Sequence, residues 1–227
     1  MICCEQFIWA RLATMARDDW YRGAAWDEGT REHFESRLAR ARSGRAEYLL
    51  IKGAALSASD DPGIREAGRV LMKRSLEDHP DEVVTVISVH HALARAYARD
   101  GMYSEASEQY EAALKMEDDG LSVITRSDLE LAELIVAAEW RGRYGEARSW
   151  LDHFWSSKDP FPVTSFRAFL TEARIANRLG ENDAARQNAE SALALLTKNR
   201  SPSARHPDVG LIKTDKATFR ELERLAQ

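Results

Sequence analysis

The stretch ALARAYARDGMYSEASEQYEAAL, Ala92 to Leu114, carries small and apolar residues at helical spacing on both sides of Gly101. Ala94 and Tyr97 precede the glycine, and Tyr103, Ala106, Tyr110 and Ala113 follow it. Residues three to four apart share one helix face, and a glycine between two such runs marks a turn. The stretch predicts two helices lying against each other, and neither can bury its apolar face alone.

The same arrangement returns along the chain. Around Gly142 stand Ile135, Ala138, Tyr144, Ala147, Leu151 and Phe154, and around Gly180 stand Ala173, Ala176, Ala185, Ala189 and Ala192. A weaker copy surrounds Pro62, with Ala55, Ala58, Ile64, Ala67 and Leu71. The steps from turn to turn are 39, 41 and 38 residues. Self-similarity at such a period is the mark of a repeat architecture.

Helices are expected over 46–59, 64–77, 83–99, 104–116, 127–140, 144–155, 164–179 and 183–197, separated by turn residues such as DDPG at 60–63 and EDHPDE at 77–82. An earlier helix, capped by Asp27 or Thr30, carries Phe34, Leu38 and Ala41 on one face and ends at Ser43-Gly44. A last short helix from about Asp215 places Phe219, Leu222 and Leu225 at docking spacing. No run alternates as a strand does, so the fold class is all-α.

The pattern A-x-x-Y-x-x-x-G-x-Y-x-x-A-x-x-x-Y-x-x-A-L at Ala94–Leu114 resembles the tetratricopeptide repeat. The copy at Gly142 is similar, and the copy at Gly180 has Asn182 in place of the aromatic. The resemblance implies an α-solenoid of antiparallel helix pairs in a right-handed superhelix, closed by N- and C-terminal capping helices. The steps exceed the 34 residues usual for the family, so helices or linkers are longer here. The domain reading is an extension and capping helix over 1–45, repeats at 46–80, 83–118, 127–158 and 164–197, and a loop with a capping helix over 198–227. Trp20, Tyr21 and Trp26 would belong to the N-terminal cap.

Composition agrees with a folded, helix-rich chain: 44% apolar and 30% charged residues, with 12 Gly and 6 Pro. A net charge of −5 argues against a wholly basic nucleic-acid binder and leaves room for a local basic stripe. The two cysteines, Cys3 and Cys4, are neighbours and cannot crosslink distant parts of the fold, and no further ligands complete a zinc site beside them. No metal and no cofactor are expected. The apolar start is interrupted by Glu5 and Arg11, so neither a signal peptide nor a membrane span is read, and a reducing, cytoplasmic setting is expected. Met15 offers an alternative start.

Catalytic residues are not expected. There is no P-loop, G-x-G-x-x-G, H-E-x-x-H, G-x-S-x-G or C-x-x-C. His90 and His91 point about 100° apart on a helix and do not chelate, His90 being expected at the helix-pair contact and His91 on the open side. Acidic pairs such as Glu130 and Glu133, or Asp118 and Asp119, read as solvated positions.

The resemblance implies a concave groove lined by the first helix of each pair. Its outward positions read as Lys52 and Leu56, then His91, Arg95 and Arg99, then Ala132, Val136 and Trp140, then Arg167, Leu170, Arg174, Asn177 and Arg178. Arginine offers a planar donor fork for carboxylates, and tryptophan offers contact area and a cation-binding ring. The expected function is a non-catalytic adaptor that binds an acidic segment or the carboxyl terminus of a partner protein. The same arginines could instead pair with Glu130, Glu133 and Glu172 and only solvate the groove. The alternatives are a homo-oligomeric scaffold, with Trp20, Trp26 and Trp155 at an interface, and a nucleic-acid-binding module.

Overall fold

The structure is a computed structural model that describes residues 20–118, 125–157, 159, 161–197, 205 and 209–227. Cys3, Cys4, Met15, Asp119 and His206 lie outside the described residues. Among the described residues the fold is all-α, with no strand and ten α-helices: α1 (Glu28–Arg40), α2 (Arg45–Ser57), α3 (Pro62–Asp78), α4 (Val83–Arg99), α5 (Tyr103–Asp118), α6 (Ser127–Ala137), α7 (Tyr144–Ser156), α8 (Pro162–Leu179), α9 (Asn182–Thr197) and α10 (Lys216–Leu225). A short 3-10 turn, Arg141–Arg143, precedes α7. Adjacent helices pack in pairs, and the chain divides into two compact units between Ser127 and Asp128.

Local chemistry sets the helix ends. Asp27 accepts from the Thr30 amide at 2.8 Å, Asp61 from the Gly63 amide at 2.7 Å, and Asp215 from the Thr218 amide at 2.7 Å. Each carboxylate satisfies a backbone donor that has no partner inside its helix, and a negative charge suits that end. Pro62 opens α3, where its missing amide costs nothing. Gly101 and Gly180 take φ of +73° and +78°, the left-handed backbone that reverses the chain after α4 and after α8.

In the first unit α2 packs on α3, α4 on α5, and α4 also against both α2 and α3. Gly53 and Gly68 let α2 and α3 approach until their backbones touch: a Cβ on Gly68 would lie 2.5 Å from the Gly53 carbonyl oxygen. Ala94 and Ala106 are fully buried on α4 and α5. Phe34, Leu38, Leu49, Leu56 and Leu71 form a core, with Trp20, Tyr21, Trp26 and Tyr48 half-buried around it. Each large side chain removed from water contributes roughly 1.5–3 kcal/mol. Trp20 and Trp26 meet Phe34 at ring distances of 5.3 and 5.7 Å, which ties the chain before α1 to the helices after it.

In the second unit α8 packs on α7, α9 and α10, and α9 packs on α10. Ala173, Ala189 and Ala192 are fully buried between α8 and α9, beside Phe166 and Leu170. The small residues permit close approach, and the larger ones fill the space between helices. α6 ends at Ala137 rather than at 140, and Glu139 follows with φ of +56°. No helix among the described residues is long and apolar enough to cross a membrane.

Candidate functional site

The residues expected to line one groove divide between the two units. Lys52, His91, Arg95 and Arg99 belong to the first, and Trp140, Arg167, Arg174, Asn177 and Arg178 to the second.

Lys52, expected on an open surface, is interior and only 3% exposed. Its ammonium donates to the carbonyls of Gly23 at 2.6 Å and Ala25 at 3.0 Å, and it lies 5.3 Å from the centre of the Trp26 ring. The segment before α1 folds over this face of α2, so the lysine holds backbone instead of facing a ligand. Burial pulls its pKa below the ordinary lysine range, against the opposing charge of Asp27.

His91 is interior as well, at 5% exposure. Its Nδ1 lies 3.0 Å from Ser127 Oγ, and its ring meets the edge of Tyr110. Ser127 Oγ is 2.6 Å from Thr125 Oγ1, which donates to Glu117 at 2.5 Å. This chain of hydrogen bonds fastens Thr125 and Ser127, at the entry to α6, to α4 and α5. His90, expected at the pair contact, is the half-buried one and lies 2.8 Å from Gln109 Oε1. His90 thus meets α5 at the expected pair contact, while His91 is interior where an open position was expected.

Arg95 and Arg99 are exposed, one turn apart on α4. Arg99 reaches Asp60 at 3.1 Å, and Asp60 is fully exposed. Such a pair is worth little in water and exchanges readily with another carboxylate.

A tighter ionic cluster lies beside it. Arg65 donates to Asp100 at 2.6 Å and to the Asp60 carbonyl at 2.8 Å, and Arg69 donates to Asp100 and to Glu66. Asp100 ends α4, so the cluster joins α3 to the turn of the following pair. The Arg69 hydrogen bond, against opposing burial, holds the Asp100 carboxyl below the usual range.

The second unit repeats this device. Arg148 on α7 donates to Glu172 on α8 at 2.9 Å and to Glu181 in the turn after it at 3.1 Å. In each unit an arginine early in one helix grips an acid at the turn of the next pair. Asp100 just before Gly101 and Glu181 just after Gly180 are the sequence signal for it.

The groove arginines of the second unit are engaged within it. Arg167 donates to Glu133 at 2.8 and 2.5 Å and to Glu130 at 3.3 Å. Burial opposes its charge, yet Glu133 and Glu130 outweigh that and hold the guanidinium above the ordinary arginine range. Arg174 donates to Glu221 of α10 at 2.7 and 3.1 Å. Arg178 donates to the Val136 carbonyl and to Tyr144 Oη at 3.1 Å, and lies 3.7 Å from Glu139. Trp140 is half-buried with Arg143 5.1 Å from its ring centre, and Asn177 is exposed. Leu56, Ala132, Val136 and Leu170, expected to face a groove, are buried packing residues.

No protein family, curated protein or solved structure matches the chain.

The geometry is that of contacts between helices. Among the described residues no group of three or more His, Cys, Asp or Glu side chains is arranged to hold a metal ion. His153 Nδ1 lies 3.0 Å from Asp128 Oδ2, which joins the end of α7 to the start of α6. Bidentate arginine–carboxylate contacts such as Arg167–Glu133 and Arg174–Glu221 orient helices as well as attract them.

Proposed function

We propose that this chain is a non-catalytic protein-interaction module of the tetratricopeptide-like kind. In this reading its antiparallel helix pairs stack as an α-solenoid, closed by α1 at one end and α10 at the other. The packing of adjacent helices in pairs is the observation that supports it. Small buried residues at equivalent places in two of the pairs, Ala94 with Ala106 in α4 and α5 and Ala173 with Ala185 in α8 and α9, support it further. A preformed helical surface binds at low ordering cost, which suits an adaptor.

The partner is a protein that offers an acidic segment or its carboxyl terminus. Recognition falls to Arg95 and Arg99, whose exposure and one-turn spacing match a carboxylate pair. Arg167, Arg174 and Arg178 serve the fold instead. A fluorescein-labelled peptide rich in Asp and Glu, with a free carboxyl terminus, tests this by anisotropy. Saturable binding that weakens with added salt and is absent for a lysine peptide of equal length supports the reading, and equal binding of both peptides contradicts it.

A homo-oligomeric scaffold is the second reading. Trp155 favours it, being 42% exposed with its ring 4.8 Å from that of Phe169. Light scattering separates the two: a monomer at high concentration removes the scaffold.

A further inference from the structure

α10 covers a face built by α8 and α9 that has the composition of a binding surface. Leu170 and Arg174 stand one turn apart on α8, one apolar and one cationic. Leu222 of α10 is fully buried in the cluster that contains Leu170, Phe166 and Ala173, and the neighbouring Glu221 accepts from Nε and Nη2 of Arg174. A leucine and a glutamate side by side thus fill an apolar patch and its arginine.

The attachment is slight for a helix. Of the residues in α10 only Leu222 is fully buried, Leu225 packs half-buried on the same cluster, Phe219 is 38% exposed, and the Arg174–Glu221 pair keeps about a third of each side chain in water. α10 is 10 residues long, too short to hold helical form alone, so release and unwinding would be one event. An ion pair open to water exchanges partners at little cost.

We propose that α10 is an exchangeable occupant of this face, and that the face receives an amphipathic helix of a partner protein bearing an adjacent leucine and glutamate as Leu222 and Glu221 do. The proposal rests on the interaction-module reading and adds to it a second contact, masked while α10 is docked. Because α10 is part of the same chain, it competes at an effective concentration on the order of millimolar, so a partner must match its chemistry to displace it.

The test uses a fluorescein-labelled peptide of residues 213–227 as the probe, titrated by anisotropy against the full chain. Glu221→Arg sets the internal helix against Arg174 while leaving the face intact. That variant is expected to bind the wild-type peptide at least tenfold more tightly than the wild-type protein does. The charge swap Arg174→Glu with Glu221→Arg is expected to return binding to the wild-type level. Hydrogen exchange on the wild-type chain is expected to show α10 amides exchanging at least tenfold faster than those of α8 and α9.

Equal peptide binding by wild type and Glu221→Arg overturns the proposal. If the variant does not fold, the wild-type exchange decides: α10 exchanging together with α8 and α9 makes it a fixed part of the unit and overturns the proposal, and separate exchange sustains it. A dimer of the wild-type chain by light scattering that is lost in Glu221→Arg would assign the face to a second copy's α10 and overturn the partner assignment. Because the probe is the chain's own helix, this test can fail while acidic-peptide binding at Arg95 and Arg99 succeeds, and the reverse.

Discussion

Gly53 on α2 and Gly68 on α3 meet backbone to backbone, with no room for a methyl group between them. A Cβ on Gly53 would lie 2.7 Å from the Gly68 carbonyl oxygen, and one on Gly68 would lie 2.6 Å from Ser57 Oγ and 2.8 Å from the Ser57 amide nitrogen. Gly68→Ala is expected to destabilise the chain by roughly 1–3 kcal/mol, because the obstructing atoms are mostly backbone and cannot move aside, even with the helix propensity gained by alanine. Gly142→Ala, where nothing lies within 4 Å, is expected to be neutral. Urea unfolding followed by circular dichroism checks the pair, and equal midpoints for both variants would refute the close contact.

Asp100 receives Arg65 and Arg69 together, and its ionised form is favoured in the fold. A carboxyl held below its unfolded pKa contributes stability that is complete above the unfolded value, about 4, and is lost as pH falls through the folded value. Asp100→Asn is therefore expected to cost roughly 1–3 kcal/mol at pH 7. It should also show a shallower loss of stability than wild type as the pH is lowered below about 4. Thermal unfolding across pH measures both, and parallel curves would dismiss the cluster as a stabilising contact.

Arg167 faces Glu133 and Glu130, and Glu130 is itself buried. Removing the cation leaves two carboxylates facing each other in a partly desolvated place. Arg167→Ala is expected to cost about 2–4 kcal/mol, and combining Arg167→Met with Glu130→Gln and Glu133→Gln should recover most of it. Denaturant midpoints of the single and triple variants decide, and a single variant as stable as wild type would show that the contacts carry no weight.

Helix positions were legible in the sequence because their signals are local. Asp27, Asp61 and Asp215 cap helices through amides two or three residues ahead, and Gly101 and Gly180 reverse the chain where they stand. The face that each helix turns to solvent was less legible. Lys52 is claimed by carbonyls 27 and 29 residues away and His91 by Ser127 36 residues away, contacts that no local periodicity announces. Lysine and histidine can be buried where the fold supplies partners for the polar tip, since each has an apolar body, and Lys52 has two carbonyls. The arginine pairs are equally remote, Arg174 meeting Glu221 across 47 positions. A cation at a regular spacing therefore reads the same whether it awaits a ligand or fastens two helices.

In the proposed function the exposed Arg95 and Arg99 recognise a carboxylate-bearing partner, while Arg174 and Arg178 hold helices together. The most direct measurement is anisotropy of the labelled acidic peptide against the double variants Arg95→Glu with Arg99→Glu and Arg174→Glu with Arg178→Glu, each checked by thermal unfolding. On this reading the first loses binding at least tenfold while remaining folded, and the second melts lower and still binds. Retained binding in the first variant together with lost binding in a folded second variant would contradict it.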